Sequence, residues 1–184
     1  MNLLDGLAGR RSVYDYAADG PDPAVVKAAL DLAVLAPNHH KTRPWRFAVI
    51  SGAGRDKLAD AFGLAARRLG RPVDAARRKA FSAPLYVLFG VRPMLAHPKV
   101  REIEEVLAVG AAVQNFMLAL HAHDVASIWT TGELARSDEV LRLAGWTEPD
   151  DQVVGLVCAG FADGDKPVRA RQPTSHEPFT TWIS

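Results

Sequence analysis

The sequence predicts a β-sheet packed by helices, of the α/β or α+β class, and three observations carry that expectation. Short, β-rich apolar runs recur near residues 45–50, 84–91, 125–130 and 153–161. Between them, apolar residues return at helical spacing, in the longest case from Val100 to Ala122. The third is size: 184 residues, 48% of them hydrophobic, suffice for one sizeable core. No repeat, low-complexity segment or linker divides the chain, so residues 1–184 read as a single domain. Spacing alone leaves open whether the sheet is parallel.

Residues 3–9 read as a short helix capped by Asn2 and ending at Gly9 or Arg10. Val13 to Ala17 reads as extended, and Ala18-Asp19-Gly20-Pro21 as a turn. Asp22-Pro23 is a helix start, a capping carboxylate followed by proline at the first helical position. Val26, Leu30, Ala33 and Val34 carry that helix to Leu35, and Trp45 to Ile50 follows as a strand. Arg55 to Leu69 is helical, with Leu58, Phe62, Ala65 and Leu69 on one face.

The basic stretch Arg67, Arg68, Arg71, Arg77, Arg78 and Lys79 reads as a solvated helical face. Asp56, Asp60 and Asp74 interrupt it, and no aromatic residues interleave as a nucleic-acid surface would require. Ala83 to Val91 is almost continuously apolar, the pattern of a strand buried on both faces. Val100 to Ala122 is apolar on more than one side, which fits a core helix or one packed on a second subunit. Val125 to Trp129 is a strand, Ser137 starts a short helix closed by Gly145, and Gln152 to Phe161 is a last buried strand. From Asp163 onward the chain is polar and proline-punctuated.

Composition excludes several classes of function. A formal net charge of +1 provides no bulk field for nucleic acid or an anionic membrane. No apolar run nears the roughly 20 residues that span a bilayer, and no signal-peptide pattern opens the chain. One cysteine, Cys158, makes neither an internal disulfide nor a metal cluster, which fits a reducing compartment. The expectation is a cytoplasmic protein. His121 and His123 lie two apart on a helix and face different sides, so they do not form a two-ligand metal site. There is no dinucleotide fingerprint, no G-x-S-x-G elbow and no zinc spacing. A general-base site using His39 or His40 with a distant carboxylate remains open.

Two segments bear candidate chemistry. The first is Ala36-Pro37-Asn38-His39-His40-Lys41-Thr42-Arg43-Pro44-Trp45-Arg46-Phe47. Pro37 and Pro44 disfavour helix at the residues before them, so the connection is expected to be open and extended. It fits a ligand-binding loop and equally a polar connector. The second is Arg10-Arg11-Ser12, two guanidinium groups beside a hydroxyl, which can hold a phosphate. Taken alone, it reads first as a solvated helix end.

Together the segments resemble the nitroreductase family of flavin enzymes. That family opens with a helix ending Arg-Arg/His-Ser, followed by a helix leading to Ala-Pro-Ser-x-x-Asn-x-Gln-Pro-Trp-x-Phe. Ile128-Trp129-Thr130-Thr131-Gly132 matches its late flavin-contacting strand end. The likeness spans most of the chain and is similar to the compact subgroup without insertions. It implies an α+β fold, a mixed, largely antiparallel sheet wrapped by helices, in an intimate homodimer with shared sites.

The resemblance further implies FMN as cofactor and NAD(P)H as reductant. Arg10, Arg11 and Ser12 would hold the phosphate and ribityl end. Leu35, Asn38 and His39 would border the flavin of the partner subunit. Thr131, Gly132 and Glu133 would line the ring or its phosphate side, and Arg169 or Arg171 would add a cation. Lys41 stands where the family has Asn, Arg43 for Gln, and Tyr14 where a lysine often meets the pyrimidine edge. Lys41 or Arg43 would then supply that donor. The implied reaction is ping-pong: hydride passes from NAD(P)H to the flavin, then to a nitroaromatic, quinone or other small acceptor. No side chain acts as a nucleophile. The competing reading is a non-enzymatic flavin- or phosphate-binding dimeric module.

Overall fold

The computed structural model describes residues 2–164, 166, 172 and 174–183. Helix α1 (Leu3–Gly9) begins where the Asn2 side chain accepts the Asp5 amide at 2.9 Å. Helix α2 (Pro23–Ala33) begins where Asp22 accepts the Ala24 amide at 2.7 Å. It stops two residues earlier than its apolar spacing suggests. The amides of Leu35 and Ala36 bond back to Leu32 and Ala33, a tighter turn that ends the helix before Pro37.

The remaining α-helices and strands among the described residues are β1 (Trp45–Ser51), α3 (Gly54–Arg68), α4 (Val73–Lys79), β2 (Leu85–Val91), α5 (Glu102–Ala122), β3 (Ala126–Thr130), α6 (Asp138–Leu143) and β4 (Gln152–Gly160). Helix α4 is a separate element, whereas its sequence reads as part of one solvated face. Gly70, at φ +65°, and Pro72 turn the chain sharply enough to start it anew.

The strands form one sheet in the order β1-β2-β4-β3, every pair antiparallel. A parallel bridge from Ser12 to Ser127 makes it mixed, as expected. Every residue of β2 is buried, which agrees with its unbroken apolar run and its inner position. Alternation divides its side chains: Tyr86 and Leu88 join α3 and α6, whereas Val87 and Phe89 join α2 and α5.

Helix α5 is long and apolar enough, by length and composition, to cross a membrane, which revises the sequence expectation. Half of its most apolar window is nevertheless packed inside the protein, against α2 and the sheet. Its outer side leaves Ile103 60% and Leu107 65% exposed. Two close approaches complete the sheet. A Cβ on Gly90 would lie 2.2 Å from Trp146, and one on Gly155 would lie 2.0 Å from Trp129 Nε1. Only glycine lets these indoles lie across the strands.

Candidate active site

One face of the sheet carries a cavity of about 420 Å³. Alternate residues of adjacent strands make its floor: Tyr86 of β2, Ile128 and Thr130 of β3, and Leu156 and Cys158 of β4. Phe62 of α3 and Lys79 of α4 close one side, and Gly132 and Leu134 the other. Tyr14 and Tyr16 reach it from the segment after α1. The volume lies within the roughly 300–1,000 Å³ range of small-molecule sites.

That N-terminal segment starts on the outer edge of β3 and continues beside the residues that follow β4. Val13 N–H donates to the Ser127 carbonyl at 3.3 Å, and Ala17 N–H to that of Phe161 at 2.9 Å. The Tyr16 hydroxyl is shared between the carbonyls of Val13, at 2.6 Å, and Cys158, at 3.1 Å. Arg10, Arg11 and Ser12 are therefore held beside the cavity, two to four residues before Tyr14. Arg11 has a second occupation. Its Nη1 donates to the carbonyls of Ala8, Gly9 and Arg10 at 2.6, 2.9 and 3.0 Å, capping the negative end of α1.

The floor stays neutral near pH 7. Burial pushes the Cys158 thiol up to about 12, against a lowering bond to Thr130. Burial also raises the Tyr16 and Tyr86 phenols, the latter opposed by Ser82. Neither a thiolate nor a phenolate forms there. Lys79 is the one charged side chain among the described lining residues. The cavity thus suits a flat apolar body with polar or anionic edges.

The connection before β1 departs from its expected shape. It is a tight turn rather than an open, extended one: His39–Lys41 form a 3₁₀ turn, and His40, Lys41 and Arg43 take φ of 52°, 55° and 53°. Pro44 disfavours right-handed helix at Arg43, yet the chain there takes the left-handed region rather than the extended one. Each such residue costs on the order of 1 kcal/mol, so the turn needs external anchors. The His40 ring lies 4.2 Å from His39 and 4.6 Å from His97, centroid to centroid. Partial desolvation and these neighbours hold the His40 imidazole below its ordinary range. Among the described residues, no group of three His, Cys, Asp or Glu is placed to hold a metal.

The structure brings some of the expected residues together and separates others. Gly132 lines the cavity, and Thr131 and Glu133 flank it in the same exposed turn, where Glu133 pairs with Arg71. Asn38 and His39 instead border a shallow depression with Leu107 and Ala111 of α5, and Leu35 borders a groove with Leu3 and Leu118. Lys41 and Arg43 are exposed on the turn and do not line the cavity. The turn feeds β1 at one edge of the sheet, whereas Ser12 bridges β3 at the other. Three inter-strand spacings, roughly 14 Å, separate the two edges. Arg169 and Arg171 lie outside the described residues. Lys79, Tyr16 and the buried Glu105 escaped the sequence reading; Pro72, as a helix start, was the signal that would have placed Lys79 in a last turn.

A sequence model of the Nitroreductase family matches residues 7–161. YdjA of Escherichia coli K12, which carries a provisional NAD(P)H nitroreductase name, is 29% identical over the whole of both chains. The nitroreductase NfnB of Mycolicibacterium smegmatis is 28% identical over 66% of this chain and 67% of its own length. In fold, the chain is similar to a nitroreductase-like protein from Bacillus cereus, with a TM-score of 0.84 at 23% identity, covering 100% of this chain and 96% of that one. It is also similar to the FMN-dependent NfnB from Mycobacterium smegmatis, solved with NADPH, with a TM-score of 0.77 at 22% identity, covering 98% and 97%. With its cavity, its Arg-Arg-Ser segment and more than half its length matched by that sequence model, the chain belongs to the nitroreductase family.

Proposed function

We propose that the chain is an FMN-dependent oxidoreductase that passes reducing equivalents from NAD(P)H to a small nitroaromatic, quinone-like or other oxidised acceptor. The carrying observation is the 420 Å³ cavity with a neutral floor and Lys79 among its lining residues, entered by Tyr14 and Tyr16 of the segment that follows Arg10–Ser12. The residues fit the cofactor. An apolar floor matches a flavin ring, Lys79 matches its anionic pyrimidine edge, and two guanidinium groups with a hydroxyl match its one phosphate. Residues 1–184 would act as one flavin-binding domain, working in the cytoplasm where NAD(P)H is available.

When bound, FMN supplies the hydride-accepting and hydride-donating ring. The chain's own residues bind and orient. Arg10 and Ser12 anchor the phosphate and ribityl end, and Arg11 adds charge while holding the end of α1. Thr131, Gly132 and Glu133 border the ring beside β3, and Lys79 stabilises negative charge at its edge. Exclusion of water falls to Tyr14, Phe62 and Leu134. No side chain on the neutral floor is placed to act as a nucleophile.

The active form is a homodimer with shared sites. Asn38, His39, Lys41 and Arg43 stand a sheet's width from Ser12 in their own chain, on the opposite edge, which supports their meeting a flavin across a subunit interface. Ile103 and Leu107, exposed on α5 near that turn, provide apolar area for a symmetric contact. Two measurements test this. Purified protein should be yellow, release FMN on heating, and bleach with NADPH under anaerobic conditions. FAD, or no flavin, would overturn the assignment, and unbleached FMN would leave a flavin-binding module. Mixing Arg10→Glu with His39→Glu after mild dissociation should restore part of the activity, since one site of each mixed dimer is intact. No recovery in demonstrated mixed dimers would defeat the shared site.

A further inference from the structure

Glu105 is fully buried, yet the proposed chemistry makes no use of it. It lies in the first turns of α5, where its Oε1 accepts from Thr42 Oγ1 at 2.6 Å. Its Oε2 accepts from the Met94 amide at 3.2 Å. Thr42 Oγ1 in turn accepts from Asn38 Nδ2 at 2.7 Å. All the donors therefore run one way, from amide to hydroxyl to carboxylate, and the carboxylate ends the chain with one oxygen while taking Met94 with the other.

These bonds join two loops that are 51 positions or more apart in sequence. The first is the left-handed turn at 38–43, whose own closing bond, Thr42 N–H to the His39 carbonyl, is long at 3.4 Å. The second is the 94–97 turn, whose His97 ring meets His40. We infer that Glu105 is a positioning residue: by accepting from both loops, it sets the geometry in which residues 38–43 meet the flavin held by a second copy of the chain. This rests on the shared-site reading above.

Glu105→Gln keeps the volume and breaks the polarity. Its amide either faces the Met94 N–H, donor against donor, or takes the place of the Thr42 proton and turns that hydroxyl toward the His39 carbonyl, 3.3 Å away. In the first case the 94–97 loop loses its acceptor; in the second the 38–43 loop exchanges a charge-assisted bond for a weaker neutral one. Thr42→Val cuts only the first link, and Thr42→Ser preserves it.

Amide hydrogen exchange on flavin-free protein reads the clamp directly. Glu105→Gln should accelerate exchange at least tenfold in 38–43, in 94–97 or in both, and leave strand residues 153–160 unchanged. Thr42→Val should accelerate 38–43 alone, and Thr42→Ser should resemble wild type. In the flavin-loaded enzyme, Glu105→Gln and Thr42→Val should each raise the acceptor KM at least fivefold, with kcat within twofold and flavin content unchanged. The double variant should be no worse than Glu105→Gln, because both act through one chain of bonds. Unchanged loop exchange, or acceleration spread equally into 153–160, would overturn the inference by making Glu105 an ordinary part of the core. Faster loop exchange with an unaltered KM would overturn its role at the site. A wild-type protein lacking flavin would sink the flavin reading separately, and the exchange result would still decide the clamp.

Discussion

The Tyr16 hydroxyl lies 3.1 Å from the carbonyl of Cys158, 142 positions away, and so ties the Arg10–Ser12 segment to the strand that floors the cavity. The same hydroxyl reaches the Val13 carbonyl at 2.6 Å, which folds the segment back on itself. Burial raises its pKa, so it stays a donor throughout the working range. Tyr16→Phe should lower stability by about 1 kcal/mol, the net worth of a typical buried hydrogen bond. For a chain of this size that is a fall in Tm of roughly 2–4 °C. Thermal melts of the two proteins check it, and an unchanged Tm would mean that the hydroxyl does not hold the segment.

Lys79, rather than Lys41 or Arg43, is the cationic residue that lines the cavity within one chain. Lys79→Met retains the aliphatic stem and removes the charge. A charged hydrogen bond is worth about 1.5–3 kcal/mol, so the flavin midpoint potential should fall by roughly 30–60 mV. Lys41→Met and Arg43→Met should shift it less. Anaerobic redox titration of the three variants makes the comparison, and a larger shift from Lys41→Met or Arg43→Met would return the role to the turn.

Gly155 and Gly132 make a paired test of close packing. A Cβ at Gly155 would meet Trp129 Nε1 at 2.0 Å and the Thr130 carbonyl at 3.0 Å, whereas none of the surroundings lies within 4 Å of one at Gly132. Gly155→Ala should destabilise the fold by about 1–3 kcal/mol, as overpacking does. Gly132→Ala should change stability by no more than about 0.5 kcal/mol. Urea denaturation of both variants distinguishes the positions, and equal midpoints would contradict the packing of Trp129 across β4.

Acid stability should report the Arg68–Glu139 pair between α3 and α6. Arg68 donates to both carboxylate oxygens, at 2.9 and 3.1 Å, and holds the Glu139 carboxyl down at about 2, from an ordinary 4.5. A depressed carboxyl stabilises the folded state above its unfolded pKa, and the contribution is lost as pH falls through the folded value. The window is therefore pH 4.5 down to 2. Because Arg68 is half exposed, the contribution should stay below about 1 kcal/mol. Glu139→Gln should be slightly less stable at pH 6 and converge on wild type near pH 2. Parallel stability curves across that window would remove the pair from the account.

The sequence by itself determined most of the elements and the family, because both are written locally. Asn2, Asp22-Pro23 and Ser137 announce helix starts through side chains that cap within three residues. The unbroken apolar run of β2 announces an inner strand through burial on both faces. Arg10-Arg11-Ser12 and the Pro-Trp loop announce the family as short motifs. What only the tertiary structure decided depends on contacts between distant positions. Lys79 became a cavity residue because Gly70 and Pro72 turn α4 back against α3, which composition could not distinguish from a solvated face. The 38–43 turn took left-handed geometry against its local preference, held by a carboxylate 63 positions beyond Thr42. Strand order placed that turn and Ser12 on opposite edges of one sheet, because hydrogen-bond pairing between strands, unlike their apolar pattern, is set by which partners the folded chain brings together.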